Sequence, residues 1–172
     1  MSDRARPATA ERLSPRGMVA LRAAPEAMAG VAEAAGVPDP GVRRWEGAGD
    51  RALVWMSPDE RLLICPRWDA AALAGALAEV AGLAADVSDM RAAFRVSGPG
   101  ARDVLAKGAA VDLSRAAFGE GDVRRTHVAE VAAMIRGTGE AAFELLCFRS
   151  VEDHLARWLE LATLPGRAPA VL

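Results

Sequence analysis

Two short joints limit what this chain can fold into. Ser57-Pro-Asp-Glu60 separates the apolar runs 52–56 and 61–65, and Gly137-Thr-Gly139 separates 131–136 from 141–148. Strands joined by so few residues pair antiparallel, because a parallel crossover takes a dozen or more residues. Pro58 presets the angle of the second turn residue and Ser57 can bond back to the chain, which suits a type I turn. Further strands are expected at 18–23, 42–45, 84–87, 92–96 and 124–128, with Gly47-Ala-Gly49 joining the strand at 42–45 to the one at 52–56. A helix over 25–35 places Met28, Val31, Ala32 and Ala35 on one face before Gly36 ends it, and Pro38-Asp-Pro-Gly41 then forces a turn. Asp69 is the expected cap of a helix reaching residue 81, with Leu73, Leu77 and Val80 on one stripe and Gly82 as its stop. A short helix over 99–107 follows, and a last helix starting at Ser150 carries Val151, Leu155, Trp158, Leu159 and Ala162 on a broad apolar face. Strands mixed with helices, and hairpins among the strands, predict an α+β fold of mainly antiparallel sheets with packed helices. The expected plan is a flexible tail over 1–13, one compact domain over 14–164 built from loosely repeated halves of about 14–82 and 83–164, and a C-terminal tail over 165–172.

A chain of 172 residues with 52% hydrophobic content has enough apolar surface for one sizeable core. Its 21 basic and 23 acidic side chains nearly cancel to a formal charge of -2, which gives no footing for nucleic acid or an anionic membrane. No run has the length of a membrane-spanning helix, and the arginine-rich opening lacks the apolar stretch of a signal peptide, so the expected location is the cytoplasm. Cys65 and Cys147 sit in apolar runs and read as reduced core thiols, and these two cysteines with His127 and His154 lack the spacing of a metal site.

Chemistry-bearing residue types gather in two places. Ser97-Gly-Pro-Gly100 turns a strand into a helix, and glycines at a helix start can offer N–H groups to an anion; but the run lacks the Walker lysine with serine or threonine and the full dinucleotide fingerprint, and Pro99 suits a first helical position. The plainer reading is a strand-to-helix joint. Asp86-Val-Ser-Asp-Met-Arg91 brings two carboxylates, a hydroxyl and a guanidinium together, where a turn capped by aspartate competes with acid and base chemistry. His127 and His154 have no nucleophile beside them in the sequence. Trp55 and Trp158 fit core packing, while Trp45 and Trp68, each beside an arginine, are the candidates for an interface.

Three stretches in order, Trp55-Met-Ser-Pro-Asp-Glu-Arg-Leu-Leu-Ile64, the run from Asp86 to Gly108, and Gly139-Glu-Ala-Ala-Phe-Glu-Leu-Leu-Cys-Phe-Arg-Ser150 before a tryptophan-bearing helix, resemble the gamma subunit family of heterotetrameric sarcosine oxidase. The wider aminomethyltransferase and folate-binding superfamily shares the tryptophan strand and the Ser-Gly-Pro turn. The resemblance implies part of the T-protein fold, docked against large alpha and beta subunits with a small delta subunit nearby. It further implies demethylation of sarcosine to glycine with FAD, FMN, NAD, zinc and tetrahydrofolate held by those other subunits. No catalytic, cofactor-binding or metal residue is carried onto this chain. The alternatives are a free-standing folate-binding protein of the same superfamily, disfavoured because the cysteine-containing Lys-Gly-Cys signature of those proteins is not found in this sequence, and a small stand-alone transferase using the Asp86 to Arg91 cluster.

Overall fold

The computed structural model describes residues 7–164. In chain order its elements are β1 (Thr9–Arg12), β2 (Gly17–Arg22), α1 (Met28–Ala35), β3 (Trp45–Ala48), β4 (Arg51–Ser57), β5 (Glu60–Cys65), α2 (Ala70–Leu77), β6 (Leu83–Asp86), β7 (Arg91–Ser97), α3 (Ala101–Ala106), β8 (Val123–Val128), β9 (Val131–Gly139), β10 (Ala142–Phe148) and α4 (Glu152–Ala162), with single 3-10 turns at Pro25–Ala27, Ser88–Met90 and Arg149–Val151. They form two units, one over residues 15–90 and one over 7–14 and 91–164.

In the unit over 15–90 the strands lie in the order β3-β4-β5-β2-β6, all antiparallel. Val19, Leu21, Leu53, Leu63 and Cys65 on one sheet face pack with Met28, Val31, Ala32 and Ala35 of α1 and Ala70, Ala74 and Leu77 of α2. The other unit repeats the plan as β8-β9-β10-β7-β1, also antiparallel, with Phe94, Val96, Ile135, Phe143 and Leu145 packed with Val104 and Leu105 of α3 and Leu155 and Leu159 of α4. Each sheet is a meander of three strands followed by the strand that precedes it in the chain, which makes the expected loose repeat concrete. The fifth strand breaks the symmetry: β6 comes after its meander, whereas β1 comes from the start of the chain.

Several expectations need correction. Residues 9–12 are not tail but the edge strand β1, registered Thr9↔Ser97 to Arg12↔Phe94, since β7 would otherwise present an open edge; residues 1–6 and the expected tail 165–172 fall outside the described residues. The first half ends at 90 rather than 82, because β6 pairs with β2 from Val19↔Asp86 to Arg22↔Leu83. The strand expected at 42–45 begins only at Trp45: Arg44 N–H closes a turn on Gly41 at 3.0 Å, and Gly49 takes the positive φ of 61° that the next turn needs. Helix α2 stops at Leu77, leaving Val80 exposed, and Asp69 stands at its cap without a side-chain cap bond. Gly137 and Gly139 lie within β9, whose turn falls later, at residues 140–141. Gly137 has a packing reason instead, since a Cβ there would collide with the backbone carbonyl of Gly119.

Candidate functional site

Strand β6 ends in a locked turn. The Asp86 carboxylate accepts hydrogen bonds from the Ser88 N–H at 2.9 Å and the Ser88 hydroxyl at 2.5 Å, and the buried Ser88 hydroxyl in turn accepts from Met18 N–H at 2.9 Å. The Ser88 hydroxyl, then its N–H, holds the Asp86 carboxyl below the usual carboxylate range. An aspartate so held stays ionised near neutrality and is a poor proton donor. The cluster read from the sequence is also divided. Arg67 spans Asp86 at 3.8 Å and Asp89 at 3.0 Å, while Arg91 opens β7 in the other unit and places its guanidinium 5.0 Å over the Phe148 ring. Asp86, Ser88 and Asp89 therefore form a turn bridged by Arg67 rather than an acid and base pair, and Arg91 stands apart from them.

The glycine joint is filled by the protein's own backbone. Gly100 N–H donates to the Pro7 carbonyl at 3.0 Å, and a Cβ at Gly98, which has φ 109°, would stand 2.8 Å from that same oxygen. Pro99 precedes the cap residue Gly100 rather than occupying the first helical position. Beyond α3, the Lys107 ammonium donates to the Ala162 carbonyl at 2.9 Å, satisfying one of the acceptors left open at the end of α4. Gly108 gives the Trp158 ring room to lie against the backbone.

His127 is exposed on the sheet edge β8, and His154 is exposed on α4 with Nε2 3.1 Å from the Ala129 carbonyl. Among the described residues, no group of three or more His, Cys, Asp or Glu side chains gathers as a metal site would. Cys65 and Cys147 are free, buried thiols, and burial pushes Cys147 up to about 11.

The surface is more distinctive than the interior. Trp68, in the loop between β5 and α2, is 82% exposed, the most open of the large apolar side chains among the described residues. The Arg67 bridge to Asp89 joins this loop to the turn that carries Met90, itself 54% exposed. Trp45, the other interface candidate, is half-buried in β3, and Trp55 and Trp158 are half-buried too. The sequence reading noted the arginine beside Trp68 but not its bridge to Asp86 and Asp89, and it gave no part to Met90, whose signal was its place next to Asp89. Arg102 escaped as well: it donates to the carbonyls of Leu113 and Phe118, at 2.5 and 2.7 Å, and lies 4.9 Å over the Phe143 ring, organising the loop after α3.

The repeated antiparallel plan recurs in a solved enzyme: the glycine cleavage system aminomethyltransferase T from Bartonella henselae superposes on 90% of this chain and 45% of its own with a TM-score of 0.67 at 15% identity, a likeness of fold alone. The sequence profile of the sarcosine oxidase, gamma subunit family matches residues 20–164, and the chain belongs to that family. It is 36% identical over 110 residues to the sarcosine oxidase subunit gamma of Corynebacterium sp. (strain P-1), a stretch that covers 63% of this chain and 54%, about half, of the relative. A chain of the heterotetrameric sarcosine oxidase from Corynebacterium sp. U-96, solved with pyrrole 2-carboxylate, matches 92% of this chain and 85% of its own with a TM-score of 0.84 and 29% identity.

Proposed function

We propose that this chain is the gamma subunit of a heterotetrameric sarcosine oxidase and contributes no reacting group to it. The observation that carries this reading is the likeness, along 92% of this chain, to one chain of the solved heterotetrameric complex. The chemistry of the described side chains agrees: Asp86 is committed to Ser88, the glycine joint is occupied by Pro7, and both thiols are buried. The partners are alpha, beta and delta subunits, which hold FAD, FMN, NAD and zinc and deliver the one-carbon unit of sarcosine to tetrahydrofolate, leaving glycine. This chain's own part is to brace those subunits in the cytoplasm. No helix among the described residues is long and apolar enough to cross a membrane.

The test is genetic and biochemical. Extracts of the parent cells lacking this chain are expected to lose sarcosine-dependent oxygen consumption and regain it when the chain is restored, while the purified chain alone shows no turnover. Turnover of sarcosine by the chain alone contradicts the non-catalytic reading, and unchanged activity in its absence contradicts the bracing role.

A further inference from the structure

We propose that residues 7–13 form a strap that opens from the edge of β7 as one piece, latched by Arg12 on Glu152, while the other four strands of its sheet stay folded. The proposal goes beyond the subunit reading and does not depend on it. None of residues 7–13 is buried; Ala8 and Ala10 are only half-buried against the core of this unit, whereas Ala92, Phe94 and Val96 of β7 lie within it. On its other side β7 pairs with β10 from Ser97↔Ala142 to Arg91↔Phe148, a longer run than the pairing of β1 from Thr9 to Arg12. Backbone hydrogen bonds at an exposed edge do little more than offset the entropy of ordering the segment, so the ladder alone leaves β1 marginal. Beyond Ser14 the chain belongs to the unit over 15–90, so the strap is joined to its own sheet covalently only by way of that unit.

The side chains identify the latch. Alternation along the strand puts Ala10 and Arg12 on the inner face and Thr9 and Glu11 on the outer one. Arg12 donates from Nε to Glu152 Oε1 at 2.5 Å, and its second guanidinium nitrogen lies 2.5 Å from the same oxygen; the Glu152 side chain is only 9% exposed. Arg149 stands farther off, 3.9 Å from the other carboxylate oxygen. Releasing Arg12 therefore strips a buried carboxylate of its nearest cation, which makes this the costly contact to break. The outer contacts hold less: Glu11 and Arg95, 3.5 Å apart, are both exposed, as are the Thr9 and Ser97 hydroxyls that meet at 3.2 Å. Backbone bonds tie the two ends, from Leu13 N–H to the Ala93 carbonyl at 2.9 Å and from Gly100 N–H to the Pro7 carbonyl at 3.0 Å. The register then turns the outward backbone groups of Ala93, Arg95 and Ser97 toward β1. One motion of the strap thus covers or uncovers both the β7 edge and the glycine joint.

The experiment is residue-resolved amide hydrogen exchange on the full-length chain as wild type, Arg12→Ala and Glu11→Ala. In the wild type the Leu13 and Gly100 amides are expected to exchange at least about tenfold faster than those of Ile135 and Leu145 in the interior strands β9 and β10, and to respond less to added denaturant. Arg12→Ala is expected to speed Leu13 and Gly100 together by about tenfold while Ile135 and Leu145 keep their rates, and Glu11→Ala is expected to change neither pair by more than about threefold. Leu13 exchanging at the rate of Leu145 in the wild type, with the same response to denaturant, overturns the strap. A faster Leu13 without a faster Gly100 in Arg12→Ala overturns opening as one piece. Unchanged rates in Arg12→Ala, or acceleration spread equally over β9 and β10, overturn the latch.

Discussion

Arg136 and Glu144 face each other across β9 and β10, both buried, with the guanidinium donating two hydrogen bonds to one carboxylate oxygen at 3.0 and 2.5 Å. Arg95 of β7 reaches the other oxygen of Glu144 at 3.3 Å, and Glu11 of β1 reaches Arg95 at 3.5 Å. Charges thus alternate along one row of four strands, and the row ties β1 to the other strands of its own unit. Removing one partner of a buried pair leaves the other charge uncompensated at a cost of roughly 3–5 kcal/mol. Glu144→Gln is therefore expected to lower unfolding free energy in urea by several kcal/mol, whereas Glu11→Ala, at the exposed end of the row, changes it by about 1 kcal/mol or less. Equal, small effects would show that the row adds nothing to stability.

Glycines in this chain separate by what a methyl group would meet. Alanine at Gly137 drives into the Gly119 backbone, which cannot turn aside as a side chain does, and about 2 kcal/mol or more of stability should be lost. Gly30 in α1 and Gly75 in α2 have nothing within 4 Å, so alanine at either is expected to raise stability by about 0.5–1 kcal/mol through helix propensity. Chemical denaturation of the single variants checks both directions. A neutral Gly137→Ala would mean the Gly119 backbone gives way freely.

The Cys147 thiol lies under the sheet beside α4, and burial first, then the Glu152 carboxylate, raises its pKa from 9.0 to about 11. The folded chain holds this proton to higher pH than the unfolded chain does. The resulting stability is whole below 9.0 and is lost as pH rises through about 11. Alkylation of Cys147 by iodoacetamide at mildly alkaline pH should follow global unfolding in denaturant, since the thiolate is the nucleophile. Modification that is fast in the native protein contradicts this.

Asp86 works in the opposite pH range. Its carboxyl is held below its ordinary value of 3.8, chiefly by the Ser88 hydroxyl. Its contribution is present above 3.8 and is lost as pH falls below that value through the lowered pKa. Asp86→Asn is expected to lower the thermal midpoint at neutral pH and to converge on wild type in acid. A constant difference across that range would assign the loss to something other than ionisation.

Element types were readable because each strand and helix carries its own local evidence. The Ser57 turn and the stripe Leu155, Leu159 and Ala162 specify a hairpin and a helix without help from the rest of the chain. What escaped depends on distant partners. β1 is polar and mostly exposed, and only its pairing with β7, more than eighty residues away, makes it a strand. Gly137 looks like turn chemistry until the Gly119 backbone is seen to cross it. In the candidate site, Trp68 and the Asp86–Ser88 turn were legible from residue type and spacing, but the Arg67 bridge that gathers them is a contact between loops, and the loss of Arg91 to the other unit follows from where the chain passes between units.

The most direct measurement is native mass spectrometry and a visible absorption scan of this tagged chain purified from its own cells. Recovery with two large chains and one small chain in a single complex with flavin absorbance is the predicted result. A colourless chain recovered alone contradicts the account.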